Sequence, residues 1–389
     1  MAIHRLNSIH VDRINIWSFF TIDLYVDEQS IHEFASGFVL EGLMSHDVAP
    51  VAGRVADGNE HGNISAFRFG EGLRPPWPPI DGVVGVLSEV RAGFVREAIC
   101  HGRRVSAMRS YDAVMSQIPR IEFNDGHSIP QIGFGVFQIP ADDAEQLVGQ
   151  AIDTGYRHID TAWGYFNEEG VGAAVNNCGL PREDVFVTTK VWNSSQGRSL
   201  STESLERSLE TLGFDYLDLL LIHWPAPGND LYVETWETFI ELRESGRVRS
   251  IGVSNFEPEH LHRIIEATAV VPALNQVELH PFFQQKLLRD FHDLHGIVTE
   301  AWGPIARGAV DDDPLLVMLA NNYGRTPAQI ALRWEIQHGI VTIPKSATLS
   351  RIQSNFDVFD FTISEDDMAM IDAIDREDGR FGPLPSDMN

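Results

Sequence analysis

The sequence predicts an α/β fold, a (β/α)8 TIM barrel with an N-terminal β-hairpin plug, preceded by a poorly structured N-terminal extension. Three observations predict it. Short β-rich runs alternate with amphipathic stretches from about Met115 onward, the runs number eight, and the span from there to Asn389 slightly exceeds the roughly 250 residues that such a barrel needs. The expected strands are Ile132–Phe137, Arg157–Thr161, Val185–Lys190, Leu217–His223, Val248–Ser254, Ala273–Glu278, Ile297–Trp302 and Ile340–Pro344. Helical stretches separate them, such as Ser201–Leu212, where Leu205, Leu209 and Leu212 recur on one face. Ahead of the first strand, Ile121 to His127 reads as a hairpin turning at Asn124-Asp125-Gly126, placed to plug one end of the barrel.

Residues 1–114 read differently from 115–389, and the two are taken as separate regions. The first holds none of the chain's lysines, contains clusters such as Arg74-Pro75-Pro76-Trp77-Pro78-Pro79, and shows only fragmentary periodicity at Val90, Phe94, Ala98 and Ile99. Two readings fit it. It is an appended regulatory or partner-binding region, or the native start lies at Met108 or Met115 and the upstream stretch is a translated leader without a stable fold. The apolar run Ile14 to Val26 is broken by Asp23, is too short to span a bilayer, and lacks a basic flank and a cleavage site. Neither a signal peptide nor a membrane partner is expected.

A chain of 389 residues with 43% hydrophobic and 22% charged residues has the composition of a soluble globular protein. The formal charge of −27 argues against a nucleic-acid partner, which requires a basic face, and is compatible with a soluble monomer. Cys100 and Cys178 show neither metal-ligand spacing nor a disulfide framework, which fits a reducing cytoplasm. The 15 histidines are scattered, so no metal is expected. No Gly-x-Gly-x-x-Gly follows an early strand, which argues against a doubly wound dinucleotide fold. Lysine is the informative oddity: only Lys190, Lys286 and Lys345 occur, all other cations being arginine. A chain under such a bias keeps lysine where a compact or titratable ammonium is needed.

In a β/α barrel the reacting groups come from the C-terminal ends of several strands, which share one mouth. Those ends carry Asp160 with Tyr165 shortly after, then Lys190, His223, Ser254-Asn255, Gln276, Trp302 and Lys345. A phenol with an ordinary pKa of about 10 is a poor acid near neutrality, and a neighbouring ammonium lowers it; Lys190 is placed to do this to Tyr165. Asp160 would pair with Lys190 and keep it charged in a dry site. His223 would donate a hydrogen bond to an oxygen on which negative charge develops. Singly, each has a bland reading, a helix cap for the Asp and a core residue for the His. Together, at successive mouths, they read as a site.

Asp160-Thr161-Ala162-Trp163-Gly164-Tyr165-Phe166-Asn167-Glu168-Glu169-Gly170-Val171-Gly172 resembles the aldo-keto reductase signature. So do Leu221-Ile222-His223-Trp224-Pro225, Gly252-Val253-Ser254-Asn255-Phe256, Asn275-Gln276-Val277-Glu278-Leu279-His280-Pro281 and Ile343-Pro344-Lys345-Ser346, in family order across almost all of 118–389. Gly135-Val136-Phe137, Ala301-Trp302-Gly303-Pro304 and the tail at Gly382-Pro383 resemble bacterial reductases of the 2,5-diketo-D-gluconate type.

The resemblance implies an NADPH-dependent reductase of an aldehyde, ketone or keto-sugar acid. Tyr165 would donate the proton, with Lys190 and Asp160 tuning it and His223 orienting the carbonyl. Ser254, Asn255 and Gln276 would bond the nicotinamide carboxamide, Trp302 would stack on its ring beside Pro304 and Ile305, and Phe137, Trp163 and Trp192 would line the substrate side. Charge independently favours NADPH: Lys345, Ser346, Arg351 and Asn355 converge near a helix start, a natural 2′-phosphate clamp in so acidic a chain. Phe166 stands where the family usually has glycine, Ser354 replaces an acidic residue that often contacts the adenine, and Ala306 to Asp313 lacks a long loop over the cofactor. A different class of function, an NADPH-binding redox-sensing subunit with little turnover, is the alternative, and the intact Asp-Tyr-Lys-His set speaks against it.

Overall fold

The computed structural model describes residues 118–389 and, before them, Ile14–Trp17 (β1) and Phe20–Ile22 (β2), an antiparallel pair. The chain divides into two units, Met1–Glu89 and Val90–Asn389. Apart from that pair, the extension expected over 1–114, with its choice of start at Met108 or Met115, lies outside the described residues.

Among the described residues the second unit opens on an antiparallel hairpin, Arg120–Glu122 (β3) against Ser128–Pro130 (β4), turning through Asn124-Asp125-Gly126 as the sequence implies. Gly126 sits at φ +86, and the Asp125 side chain accepts from His127 N at 3.0 Å, the local bond that makes Asp a turn residue. Then come Phe134–Gly135 (β5), His158–Asp160 (β6), Phe186–Val191 (β7), Leu217–Ile222 (β8), Val248–Ser254 (β9), Leu274–Glu278 (β10), Val298–Trp302 (β11) and Val341–Thr342 (β12). These eight pair in chain order, every pair parallel. The sheet curls until its edges meet: Gly133 N donates to Thr342 O at 2.8 Å, Thr342 N to Gln131 O at 3.0 Å and Gly135 N to Pro344 O at 3.3 Å. A side chain at Gly135 would not fit there, since an added Cβ would lie 2.9 Å from Ile343 O. All the expected strands are present, most trimmed by a residue or more, the first and last to two residues each.

Helices Ala141–Thr154 (α1), Glu168–Asn177 (α2), Arg198–Leu212 (α3), Tyr232–Glu244 (α4), Pro258–Thr268 (α5) and Lys286–His295 (α6) connect the first seven parallel strands, and Pro314–Tyr323 (α7) with Pro327–Gln337 (α8) leads into β12. Leu349–Phe356 (α9) and Glu365–Asp372 (α10) follow. Their starts are set locally. Pro258 and Pro327 occupy first turns where no N–H is needed, behind capping boxes Glu257/His260 and Thr326/Gln329, and Asp313 accepts from Leu315 N and Leu316 N at 2.9 and 3.0 Å.

Period-two alternation sorts the strand side chains into two cores. Leu220 and Ile222 face the helices, in the large cluster with Leu205, Trp236 and Phe239. Leu219 and Leu221 face inward, with Phe186, Leu274, Val298 and Val341 and with Phe123 and Ile129 from the hairpin segment. Above that apolar layer the inward positions become polar, which is where the candidate site begins.

Candidate active site

Asp160 ends β6, and its register partner on β7 is Thr188. Lys190 lies two residues beyond Thr188, so its side chain shares Asp160's face of the sheet. The Lys190 ammonium is fully buried and spends all its protons: it donates to Asp160 Oδ1 at 2.6 Å, to Thr161 O at 2.9 Å and to Tyr165 Oη at 3.3 Å. Tyr165 is carried by a single 3-10 turn, Trp163–Tyr165. Buried Asn167 pins that turn, accepting from Thr161 Oγ1 at 3.0 Å and donating to Val136 O and Ile139 O at 2.9 and 3.0 Å.

His223 follows β8 directly. Its ring lies edge-on to Tyr165 and to Trp192, with centroids 5.6 and 4.9 Å away, and Phe137 packs on Tyr165 at 5.1 Å. Burial, reinforced by the Lys190 charge, holds the His223 imidazole well below its ordinary pKa, so the ring is neutral near pH 7. Burial also opposes the Lys190 ammonium, but Asp160, Tyr165 and Glu300 outweigh it and keep the lysine above its usual value. For Tyr165 the expected direction is corrected. Burial, helped by Asp160 and Glu300, raises the phenol above its ordinary value, and Lys190 offsets only part of this. The ammonium is closer to the Asp160 carboxylate than to the phenol, so its field at the phenol is largely that of a neutral pair.

The expected carboxamide-binding groups form a chain along the next strand ends. Ser254 Oγ donates to Gln276 O at 2.9 Å, Asn255 Nδ2 donates to Ser254 Oγ and His223 O at 3.0 Å each, and Trp302 Nε1 donates to Asn255 Oδ1 at 2.8 Å. Asn255 sits at φ +62, a conformation that asparagine tolerates better than most residues. Gln276 Nε2 is committed to two carboxylates, Asp160 Oδ2 and Glu300 Oε2, both at 2.8 Å. Its Oε1 is left to accept. Pro304 is buried and Ile305 half-buried in the turn after Trp302.

The third group lies after β12. Lys345 and Arg351 are exposed, with no ion pair among the described residues, while Ser346 and Asn355 are buried beside them. Ser346 Oγ accepts from Thr348 N at 3.1 Å, and Thr348 places no side-chain cap on α9, so the helix start keeps free N–H groups. Two unpaired cations at an uncapped helix start, a half-buried indole and a row of amide and hydroxyl groups are the donor set that a phosphorylated nicotinamide dinucleotide needs.

Trp163 packs on Phe166, with ring centroids 5.7 Å apart, and the Arg207 guanidinium lies 5.9 Å from its ring. Phe166 takes φ +57 and is 75% exposed, which explains why glycine suits the position.

Sequence reasoning missed Glu300, fully buried on β11, and Glu278, whose two oxygens accept from Phe381 N and Gly382 N at 2.5 and 2.8 Å. That grip draws the tail across Trp302; an added Cβ at Gly382 would overlap the indole and the Glu278 carboxylate, so a side chain there would have to displace them. The signal for Glu300 was its place two residues before Trp302 on one strand, hence on the same inward face.

The sequence profile of the aldo/keto reductase family matches residues 131–376. The chain belongs to that family. The Mycolicibacterium smegmatis aldo-keto reductase is 52% identical over 271 residues, 70% of this chain and 98% of that protein. Methylglyoxal reductase DkgA of Escherichia coli K12 is 46% identical over 267 residues, covering 68% and 96%. Among solved structures, a point mutant of Gox0644 in complex with NADPH shares 48% identity at TM-score 0.67, over 69% of this chain and 97% of that one. This aldo-keto reductase is accordingly an NADP-dependent oxidoreductase acting on carbonyl groups. Among its described residues no helix is long and apolar enough to cross a membrane.

Proposed function

We propose that the enzyme reduces a small aldehyde, ketone or keto-sugar acid, α-oxoaldehydes of the methylglyoxal type foremost, with Tyr165 as proton donor. The observation that carries this reading is the fully buried Lys190 ammonium shared between Asp160, Thr161 O and the Tyr165 hydroxyl. When bound, NADPH supplies the hydride; Ser254, Asn255, the free Oε1 of Gln276 and Trp302 would hold its nicotinamide end, with Pro304 and Ile305 beside them. Lys345, Arg351, Ser346 and Asn355 would hold its 2′-phosphate.

Tyr165 gives its proton to the carbonyl oxygen as that oxygen becomes an alkoxide. A phenol above its ordinary pKa is protonated throughout the neutral range and therefore ready to donate. The adjacent ammonium steadies the phenolate left behind. His223, neutral and in edge contact with Tyr165, orients the oxygen by a hydrogen bond without competing as an acid. Phe137 and Trp192 flank the reacting carbonyl, and Trp163 belongs to the outer rim. The same reading takes the curled sheet as a (β/α)8 barrel whose N-terminal end the β3–β4 hairpin plugs through Phe123 and Ile129.

Tyr165→Phe tests it. General acid catalysis contributes on the order of 10²–10⁴-fold, so methylglyoxal reduction should fall by that factor while NADPH binding, followed by quenching of tryptophan fluorescence, stays near wild type. Retained turnover would remove Tyr165 from the chemistry.

A further inference from the structure

Behind the ion pair lies a carboxyl that has no part in the proton transfer. Glu300 is fully buried on β11. Its Oε2 shares Gln276 Nε2 with Asp160 Oδ2, each at 2.8 Å, and its Oε1 has no hydrogen-bond partner and stands 3.7 Å from His158 Nε2. The titratable groups that face it are Asp160 and His158 from β6, Lys190 from β7 and Tyr165 from the 3-10 turn; β10 brings the neutral Gln276 and β12 only Val341 and Thr342.

The charge count within this cluster decides the state of Glu300. One ammonium is present, and its protons go to Asp160, Thr161 O and Tyr165, none to Glu300. His158 is neutral, since burial first and the Lys190 and Arg120 charges second hold its imidazole down at about 3. One cation therefore balances one carboxylate. A second ionised carboxylate would stand unpaired in a dry interior across a single amide from the first, an arrangement that is relieved by a proton.

We infer that Glu300 is a positioning residue for the proton donor, carrying a proton in the working enzyme so that Gln276 steers Asp160 onto Lys190 without a competing charge. When Glu300 loses that proton at alkaline pH, the added negative charge makes Tyr165 a weaker acid, and the alkaline fall in reduction follows Glu300 rather than the phenol. The direction is consistent: burial and the Asp160 charge push Glu300 up to about 8, and the Glu300 charge is among the influences that raise Tyr165. The inference rests on Tyr165 being the donor.

Glu300→Gln keeps the shape and removes the titration. In the wild type the reduction kcat should fall between pH 7 and pH 9 on the order of threefold to tenfold, as expected when a general acid becomes weaker. In Glu300→Gln that limb should be absent. A second readout needs no turnover: the ultraviolet titration of Tyr165, taken as the difference between each protein and its Tyr165→Phe version, should move to lower pH in the variant. An infrared difference spectrum, wild type minus variant, should show a protonated carboxyl band at pH 7 that is gone at pH 9. Glu300→Leu, equally unable to titrate, is the second variant should Gln fold poorly. An unchanged alkaline limb with an unchanged Tyr165 titration, or no carboxyl band at pH 7, overturns the inference. If Tyr165→Phe is inactive while Glu300→Gln behaves as wild type, only this inference fails; if Tyr165→Phe stays active, the donor reading itself fails.

Discussion

Replacing Lys190 by methionine removes the cation of this cluster with little change in volume, and the structure sets the size of the penalty. Lys190 and Asp160 meet at 2.6 Å with side chains 0% and 3% exposed. Without the ammonium, Asp160 keeps only the Gln276 bond at 2.8 Å, while Thr161 O and the Tyr165 hydroxyl each lose a donor. Stranding one partner of a buried pair costs about 3–5 kcal/mol, most of it the uncompensated carboxylate. Lys190→Met should therefore lose about that much in urea unfolding at pH 7. Adding Asp160→Asn removes the stranded charge and should restore at least about 2 kcal/mol, a coupling far outside the additivity of independent sites. A loss under about 1 kcal/mol, or additive effects of the two substitutions, would show that water screens the pair and would undo the charge count on which the role of Glu300 depends.

The remaining predictions concern the cofactor and the packing. Lys345→Ala should weaken NADPH binding by about 1 kcal/mol or more, the scale of a charge-assisted bond to phosphate, with NADH affinity nearly unchanged in the same fluorescence titration; equal losses would rule out a 2′-phosphate contact. Gly172→Ala should cost about 1–3 kcal/mol in denaturant unfolding, because an added Cβ would overlap Leu212 O, where α2 meets α3 backbone to backbone. Gly149→Ala in α1, with nothing within 4 Å of the added Cβ, should instead gain about 0.5–1 kcal/mol, and the same sign for both would contradict the packing argument.

What was legible in the sequence is what strand order and parity dictate. The eight β-rich runs fold into eight strands in chain order, so Asp160, Lys190, His223, Ser254, Gln276 and Trp302 reach one rim because each lies at or near the C-terminal end of its run. The scarcity of lysine singled out Lys190, which is a buried ammonium, and Lys345, which is exposed and makes no ion pair among the described residues. What was not legible depends on distances between elements. The direction of the Tyr165 shift depends on how deeply the phenol is enclosed, and on Lys190 sitting nearer Asp160 than Tyr165, neither of which a sequence states. Trp163 was expected on the substrate side with Phe137 and Trp192; that it packs on Phe166 beside Arg207 depends on how the 3-10 turn winds, which a sequence does not state. Glu300 was overlooked because an acid amid Val298, Thr299 and Ala301 looks like a solvated position until parity is applied.

The stacking of the two inner layers explains why so much of the chemistry turns on counting charges. Leu219, Leu221, Phe186, Leu274, Val298 and Val341 close the space below the polar layer, so water cannot reach it from the N-terminal end. Fully buried Lys190 and Glu300, with Asp160 almost so, mean little screening from the mouth side. Under those conditions a pair of opposite charges acts on a third group chiefly as a dipole, while a single extra charge acts with its full field. Lys190 is the stronger of these influences on Tyr165, lowering the phenol by its charge and by its hydrogen bond, while the charges of Asp160 and Glu300 act against it. It follows that the acid strength of the donor answers to how many carboxylates in the cluster are ionised as well as to the lysine that touches it.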